Sequence, residues 1–400
     1  MSTIDAGPRP RRPGGPGRPS ARAVVAAAAA AVLVAIAVVA AILLARQESE
    51  SGAAERLARA GAAHAAAAGE VERARDDLDE ALDAATTAAS LAAEVAEVPV
   101  AHVGPEPEAS FAAAVAELAA RIDAAEALPR VEPEVPAAVR EGEAESAGDL
   151  DATTRLLEAE TAGLAEHAAD LGTAQDGLVT AVADVDATGA DLLAAVPSAA
   201  GALEAAHESA RNLERLALRE ATAIVEAARW DSGAADAIAR YVAAAEALIA
   251  SHDAEEAEKA GPLYDRRKQV EAFARELSGG LPLEFDWETI VLGYGTDGTY
   301  AGRATWDVAG GGIASLTFSH SVAELWDAPG VRALVAHEVG HAMTGRCLGE
   351  IVPDELAYGD GNEAWATAWA ISRGYTGDGS GEWIYGRPGD DVIALAAQCR

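Results

Sequence analysis

Hydrophobic patterning changes character three times along this chain, and each change predicts a different kind of structure. Residues 23–45 (AVVAAAAAAVLVAIAVVAAILLA) are 23 uncharged, mostly apolar positions between Arg22 and Arg46. As a helix they would extend about 34 Å at about 1.5 Å per residue, enough for a bilayer core, so the pattern predicts a single transmembrane anchor. The run is too long for the apolar stretch of a cleaved signal peptide. From 46 to 262 apolar residues, chiefly Ala and Leu, recur at steps of three and four, which predicts helices over 52–97, 109–127, 149–195 and 199–259, with a further one over 263–278. Proline and glycine clusters at 99–107 and 129–148 separate them. Beyond 280 the pattern shortens into runs of strand composition at 287–294, 302–308 and 313–320, with Gly310, Gly311 and Gly312 as a turn between the last two. A helix from Pro329 or Val331 to Gly345 follows, then a second begun by Asp360 or Asn362.

The expected architecture is an N-terminal transmembrane helix, an Ala-rich all-α region of hairpin or coiled-coil-like form, and a C-terminal α+β domain. The boundaries are 1–22 for a disordered basic tail, 23–45 for the anchor, 46–262 for the helical region and 263–400 for the C-terminal domain. Aromatic residues support the last division. Of 18 Phe, Tyr and Trp, only Phe111, Trp230 and Tyr241 precede Tyr264. The first region therefore packs with small side chains, and the second has the large ones a globular core needs.

Charge adds an orientation. The tail carries Arg9, Arg11, Arg12, Arg18 and Arg22 against Asp5, and basic flanks stay on the cytoplasmic side. The expectation is a single-pass cell-membrane protein with a cytoplasmic N-terminus and an extracytoplasmic C-terminal domain. After Arg46 there are 64 acidic and 24 basic side chains, which argues against a nucleic-acid partner. The helical region reads as a spacer, or as a surface for self-association or a protein partner. His64, His102, His167, His207 and His252 lie in it at no metal-binding spacing and read as surface residues. The two cysteines, Cys347 and Cys399, suggest one disulfide in an exported chain; the alternative is Cys347 as a metal ligand.

The chemistry concentrates in VRALVAHEVGHAM. In a helix, His337 and His341 are one turn apart on one face and can grip one Zn²⁺, with Glu338 beside them as general base. A catalytic zinc takes three protein ligands and leaves one position open. Glu363, in the first turn of the helix DGNEAWATAWA, is the leading third ligand, with Asp354, Glu355 and Asp360 as alternatives. Trp365 and Trp369 share a face that would anchor that helix. Candidates for oxyanion stabilisation are His320, Tyr358, Tyr375, Tyr385 and Arg387, with Tyr385 first. Residues 313–321 are a candidate edge strand for holding substrate, and the loop 374–389 a candidate cleft wall.

HEVGH together with NEAWA resembles the zincin metallopeptidases, in particular the gluzincin group of thermolysin type, over roughly residues 285–400. The resemblance implies His337, His341 and Glu363 as zinc ligands and Glu338 as the base that assists attack by zinc-bound water. It implies a metalloendopeptidase that hydrolyses peptide or protein substrates. Thr344 and Cys347 stand where the metzincin pattern has Gly and His. Thr367 stands where the thermolysin type has a carboxylate supporting the first histidine, so Asp354 or Asp360 would have to orient His337. The competing reading is a non-enzymatic, membrane-anchored envelope scaffold or partner-binding protein with a degenerate zincin domain.

Overall fold

The computed structural model describes residues 21–98, 102–132, 146–308 and 312–400, without the side chains of 21–34. The chain divides into two compact units. One takes residues up to Leu82 with Ala124–Asp176, the other Asp83–Asp123 with Gly177–Arg400.

Three long helices supply the Ala-rich region: α1 (Ala21–Ala96), α2 (Pro105–Glu126) and α3 (Ala147–Ala206). Ala, Leu and Glu lose little conformational freedom in a helix, which favours such lengths. Along α3 the buried residues Leu157, Leu164, Leu171, Leu178, Val185 and Leu192 recur every seven positions, the periodicity of a coiled-coil seam. The sequence placed all five histidines of this region on the surface, but His64 and His167 are 4% and 7% exposed. His64 lies between the buried Ala60 and Ala67, and His167 between the buried Leu164 and Leu171, on the apolar stripe of its helix.

The membrane anchor expected over 23–45 requires correction. No helix among the described residues is long and apolar enough to cross a membrane. The described side chains of that run, 35–45, would cover about 16 Å at about 1.5 Å per residue, half of a bilayer core. Past them α1 continues without a break through Arg46, Glu48 and Glu50 to Ala96. The expected membrane anchoring, single-pass topology and cell-membrane location therefore lack support, and with them the sidedness assigned to each end. The disordered tail expected over 1–22 lies, apart from its last two residues, outside the described residues.

The helix expected over 199–259 is three pieces. Helix α3 runs through Pro197 to Ala206, and α4 (Asn212–Ala227) and α5 (Ala234–Lys259) follow. The break before α5 is an Asx turn, in which the Gly233 amide donates to Asp231 Oδ1 at 2.9 Å. At the junction with α6 (Tyr264–Ser278), Glu256 accepts hydrogen bonds from Ser209, from Tyr264 at 2.5 Å and from Lys268 at 2.8 Å. Partial burial opposes ionisation of Glu256, but these donors outweigh it and hold the carboxyl at about 2, below its ordinary 4.5. A folded-state value below the unfolded one stabilises above 4.5 and is lost as pH falls toward 2. The stability gap between the native chain and Glu256→Gln should therefore be widest near neutrality and close across that interval in denaturant titrations.

The C-terminal part is built on a three-stranded sheet of β1 (Leu283–Glu288), β2 (Gly302–Asp307) and β3 (Ile313–Ser319), in the order β1-β3-β2. Strands β1 and β3 are parallel, and β2 runs antiparallel to β3. The first strand begins four residues earlier than its composition suggested, because Val291 and Tyr294 pair across a tight turn that has Leu292 at φ 50°. Strand β3 is central, so the substrate-holding edge expected at 313–321 is corrected: β1 and β2 are the edge strands. After β3 come α7 (His320–Glu324), α8 (Pro329–Cys347), α9 (Asp354–Ala357), α10 (Asp360–Ser372), α11 (Glu382–Tyr385) and α12 (Asp390–Ala396). Val331, Val335, Val339 and Met343 of α8 pack with Phe285, Leu316 and Phe318 of the sheet and with Trp365 and Trp369 of α10.

Cys347 and Cys399 form a disulfide that ties the end of α8 to the chain terminus across 52 residues. Closing a loop of that length restricts the unfolded chain by about 4 kcal/mol. Cys399→Ser should therefore unfold at lower denaturant concentration, with a loss of about 2–4 kcal/mol in equilibrium titrations.

Candidate metal centre

Helices α8 and α10 touch backbone to backbone at Gly340. A Cβ there would lie 2.8 Å from the Ala366 carbonyl oxygen, so a side chain at this position would push the helices apart. Trp365 Nε1 donates to the Gly340 carbonyl at 3.1 Å and fixes the same crossing. This contact explains why the fourth residue of HEVGH is glycine. It also brings the first turn of α10 under the histidine face of α8.

There, three donor atoms converge. His337 Nε2 and His341 Nε2 are 3.1 Å apart, and Glu363 Oε2 is 3.1 Å from the first and 3.2 Å from the second. Both rings are turned by their other nitrogen. His337 Nδ1 lies 3.0 Å from the Ser380 carbonyl oxygen, and His341 Nδ1 lies 2.6 Å from Asn362 Oδ1. A carbonyl oxygen only accepts, so His337 carries its proton on Nδ1. Asn362 spends its amide on Thr344 Oγ1 at 2.7 Å, which leaves Oδ1 to accept from His341. Both Nε2 atoms thus present lone pairs to each other and to a carboxylate, with no hydrogen between them. One shared cation satisfies such a set, and its nitrogen and oxygen donors suit Zn²⁺.

The same closeness couples the ionisation of these groups. Burial opposes charge on Glu363, yet the two imidazoles hold its carboxyl far below the usual carboxylate range. Burial would lower His341, but Glu363 and Glu338 hold it above its ordinary value. Glu338 is pushed up by burial, an effect the two neighbouring imidazoles reduce. Its side chain lies against the start of β2, where a Cβ on Gly302 would fall 2.8 Å from Glu338 Oε1. The Tyr385 ring stacks on His337 with centroids 5.9 Å apart and planes 6° apart. Burial, then the neighbouring Glu363, push its phenol up to about 12. A cavity of about 570 Å³ opens beside this group, walled by Leu292, Tyr294, Tyr300, Leu334, Trp383 and Ile384.

The structure brings together His337, Glu338, His341, Glu363 and Tyr385. It separates the other candidates from them. Asp354, Glu355 and Asp360 are exposed and outside the cluster, and Cys347 is in the disulfide. Tyr358 packs on Trp306, Tyr375 on Phe273, Arg387 pairs with Glu382, and His320 meets Arg267. The loop 374–389 does wall the cleft, through Asp378, Gly379, Gly381 and α11. Neither Asp354 nor Asp360 orients His337. The Ser380 carbonyl does, with Thr367 Oγ1 at 3.4 Å, in the place the sequence marked as lacking a carboxylate. A backbone carbonyl leaves no trace in a sequence. Asn362 could have been found, since it precedes the third ligand in the same helical turn.

Two histidines, a glutamate on the next helix and an adjacent buried glutamate complete the His-Glu-x-x-His plus glutamate arrangement of the gluzincin zinc metallopeptidases. The set is intact, so the site is that of an active metallopeptidase and not of a degenerate scaffold. Comparison with family models, with curated proteins and with solved structures returns no match, and the assignment stands on the geometry of His337, Glu338, His341 and Glu363.

Proposed function

We propose that the chain is a zinc-dependent metalloendopeptidase whose chemistry resides in residues 263–400, with 46–262 as a helical region that carries no part of the site. The observation that carries this reading is the meeting of three lone-pair donors within 3.2 Å, each imidazole fixed by a partner at its far nitrogen.

His337, His341 and Glu363 would hold the Zn²⁺, which supplies Lewis acidity toward a carbonyl and acidifies a water. Glu338 acts as the base. One of its carboxylate oxygens accepts a proton from water as the water oxygen bonds to the scissile carbonyl carbon. It returns that proton to the amide nitrogen as the C–N bond breaks. Burial that raises the proton affinity of Glu338 makes it a stronger base than an exposed glutamate. Tyr385, stacked on His337, donates its O–H to the developing oxyanion, and its raised pKa keeps the phenol protonated for that task. The free edge of β2, beginning at Gly302 beside Glu338, offers backbone groups that can pair with an extended peptide.

A cleft walled by Leu292, Tyr300, Leu334, Trp383 and Ile384 selects apolar side chains next to the scissile bond. Digestion of a peptide library by the full chain should therefore yield cleavage beside Leu, Phe or Ile in preference to Asp or Glu. It should stop with a chelator and resume with added zinc; cleavage that continues in chelator would refute the assignment. Asn362→Ala, which frees the His341 ring, should weaken zinc binding by about 10- to 100-fold in competition with a chromophoric chelator.

A further inference from the structure

A second cavity, of about 310 Å³, lies among the end of α5, α6, β1 and the start of α7. It shares no lining residue with the metal cleft. We propose that it binds a small oxyanion, a carboxylate or a phosphate group, on Arg267.

The walls hold Glu255, Glu258, Lys259, Arg267, Trp287 and His320. Two of these charges are already matched. Lys259, 2% exposed, lies 3.2 Å from the fully buried Glu271, and Glu255 accepts from Arg211 at 2.5 Å. Arg267 is different. It is 9% exposed and has no carboxylate within ion-pair distance among the described residues. Its Nη1 donates to the Lys259 carbonyl at 3.0 Å, its Nη2 to His320 Nδ1 at 3.3 Å, and it lies 5.6 Å from the Trp287 ring centroid. Its Nε–H is buried with no partner among the described residues.

Neutral contacts of this kind hold a guanidinium in place without supplying its counter-charge, and a buried cation left so is costly. His320 adds a neutral donor beside the guanidinium. Burial, then Arg267, lower its pKa and keep it neutral, so with Nδ1 accepting from Arg267 its proton sits on Nε2 as a further donor. The planar guanidinium matches carboxylate and phosphate oxygens, and at about 30 Å³ per water the cavity admits such an anion with several waters. The exposed Glu258 at the wall opposes the anion, and solvent screens that opposition.

Isothermal titration of the zinc-loaded full chain with inorganic phosphate and with acetate, at ionic strength matched by chloride, tests the proposal. The expected result is saturable binding of at least one of the two anions, accompanied by a rise in Tm. Which anion binds tighter separates a phosphate ligand from a carboxylate one. Arg267→Gln should weaken that binding on the order of tenfold. Glu258→Gln, at an exposed position that leaves the fold alone, should tighten it by about two- to threefold. Absence of saturable binding by either anion, or an affinity that neither substitution changes, would overturn the proposal. The second result would place the anion at the zinc.

Discussion

Glu338→Gln is expected to lower peptide hydrolysis by about 10²- to 10⁴-fold while the protein keeps its zinc. The substitution preserves the volume of a side chain packed against Gly302, where there is no room for a larger one. It removes the carboxylate that accepts and returns the proton. Glutamine can still hydrogen-bond a water, so binding of substrate should persist and the loss should fall on kcat more than on KM. The fold should also tolerate the change. Glu338 is 5% exposed and its carboxyl is pushed up by burial, so a neutral amide relieves a desolvation penalty. Circular dichroism and zinc content equal to those of the native chain, with turnover near background, would be the full signature. Native turnover in this variant would remove Glu338 from the mechanism.

The second large effect belongs to His337→Ala. This change deletes one of the three donor atoms, strips Tyr385 of the ring it stacks on and leaves the Ser380 carbonyl without its partner. Zinc retention through purification should fall from about one per chain to background, and hydrolysis should vanish with it. Added imidazole, which can occupy the space of the lost ring, provides a control that a merely unfolded variant would fail. A His337→Ala chain that keeps stoichiometric zinc and activity would show that the metal is held elsewhere.

How much of this was legible in the sequence depends on the range of the interaction. His337, Glu338 and His341 are fixed relative to one another by helical geometry, a local rule. Glu363 could be chosen because it lies in the first turn of the next helix and because Trp365 and Trp369 had to face a core. Tyr385 could be suspected on chemistry alone, and it does stack on His337. The strand order was not legible, since pairing across the sheet is decided by packing on both faces, and β3 proved central where an edge was expected. Nor was the orientation of His337, which depends on a backbone carbonyl 43 residues away. The reading of the N-terminal apolar run failed for a different reason. Alanine is apolar enough to suggest a membrane span and helical enough to continue into a long acidic helix, so hydropathy alone did not separate the two. Similarly, a break was expected between 195 and 199, yet α3 runs through Pro197 and ends instead at Ala206.

The central claim is that His337, His341 and Glu363 together hold one zinc ion. Zinc K-edge absorption on the purified full-length chain tests it most directly. The account predicts about one zinc per chain with a first shell of nitrogen and oxygen only, at about 2.0–2.2 Å, including two imidazoles. A sulfur scatterer at about 2.3 Å, a single imidazole, or no zinc bound after exposure to the metal would contradict it.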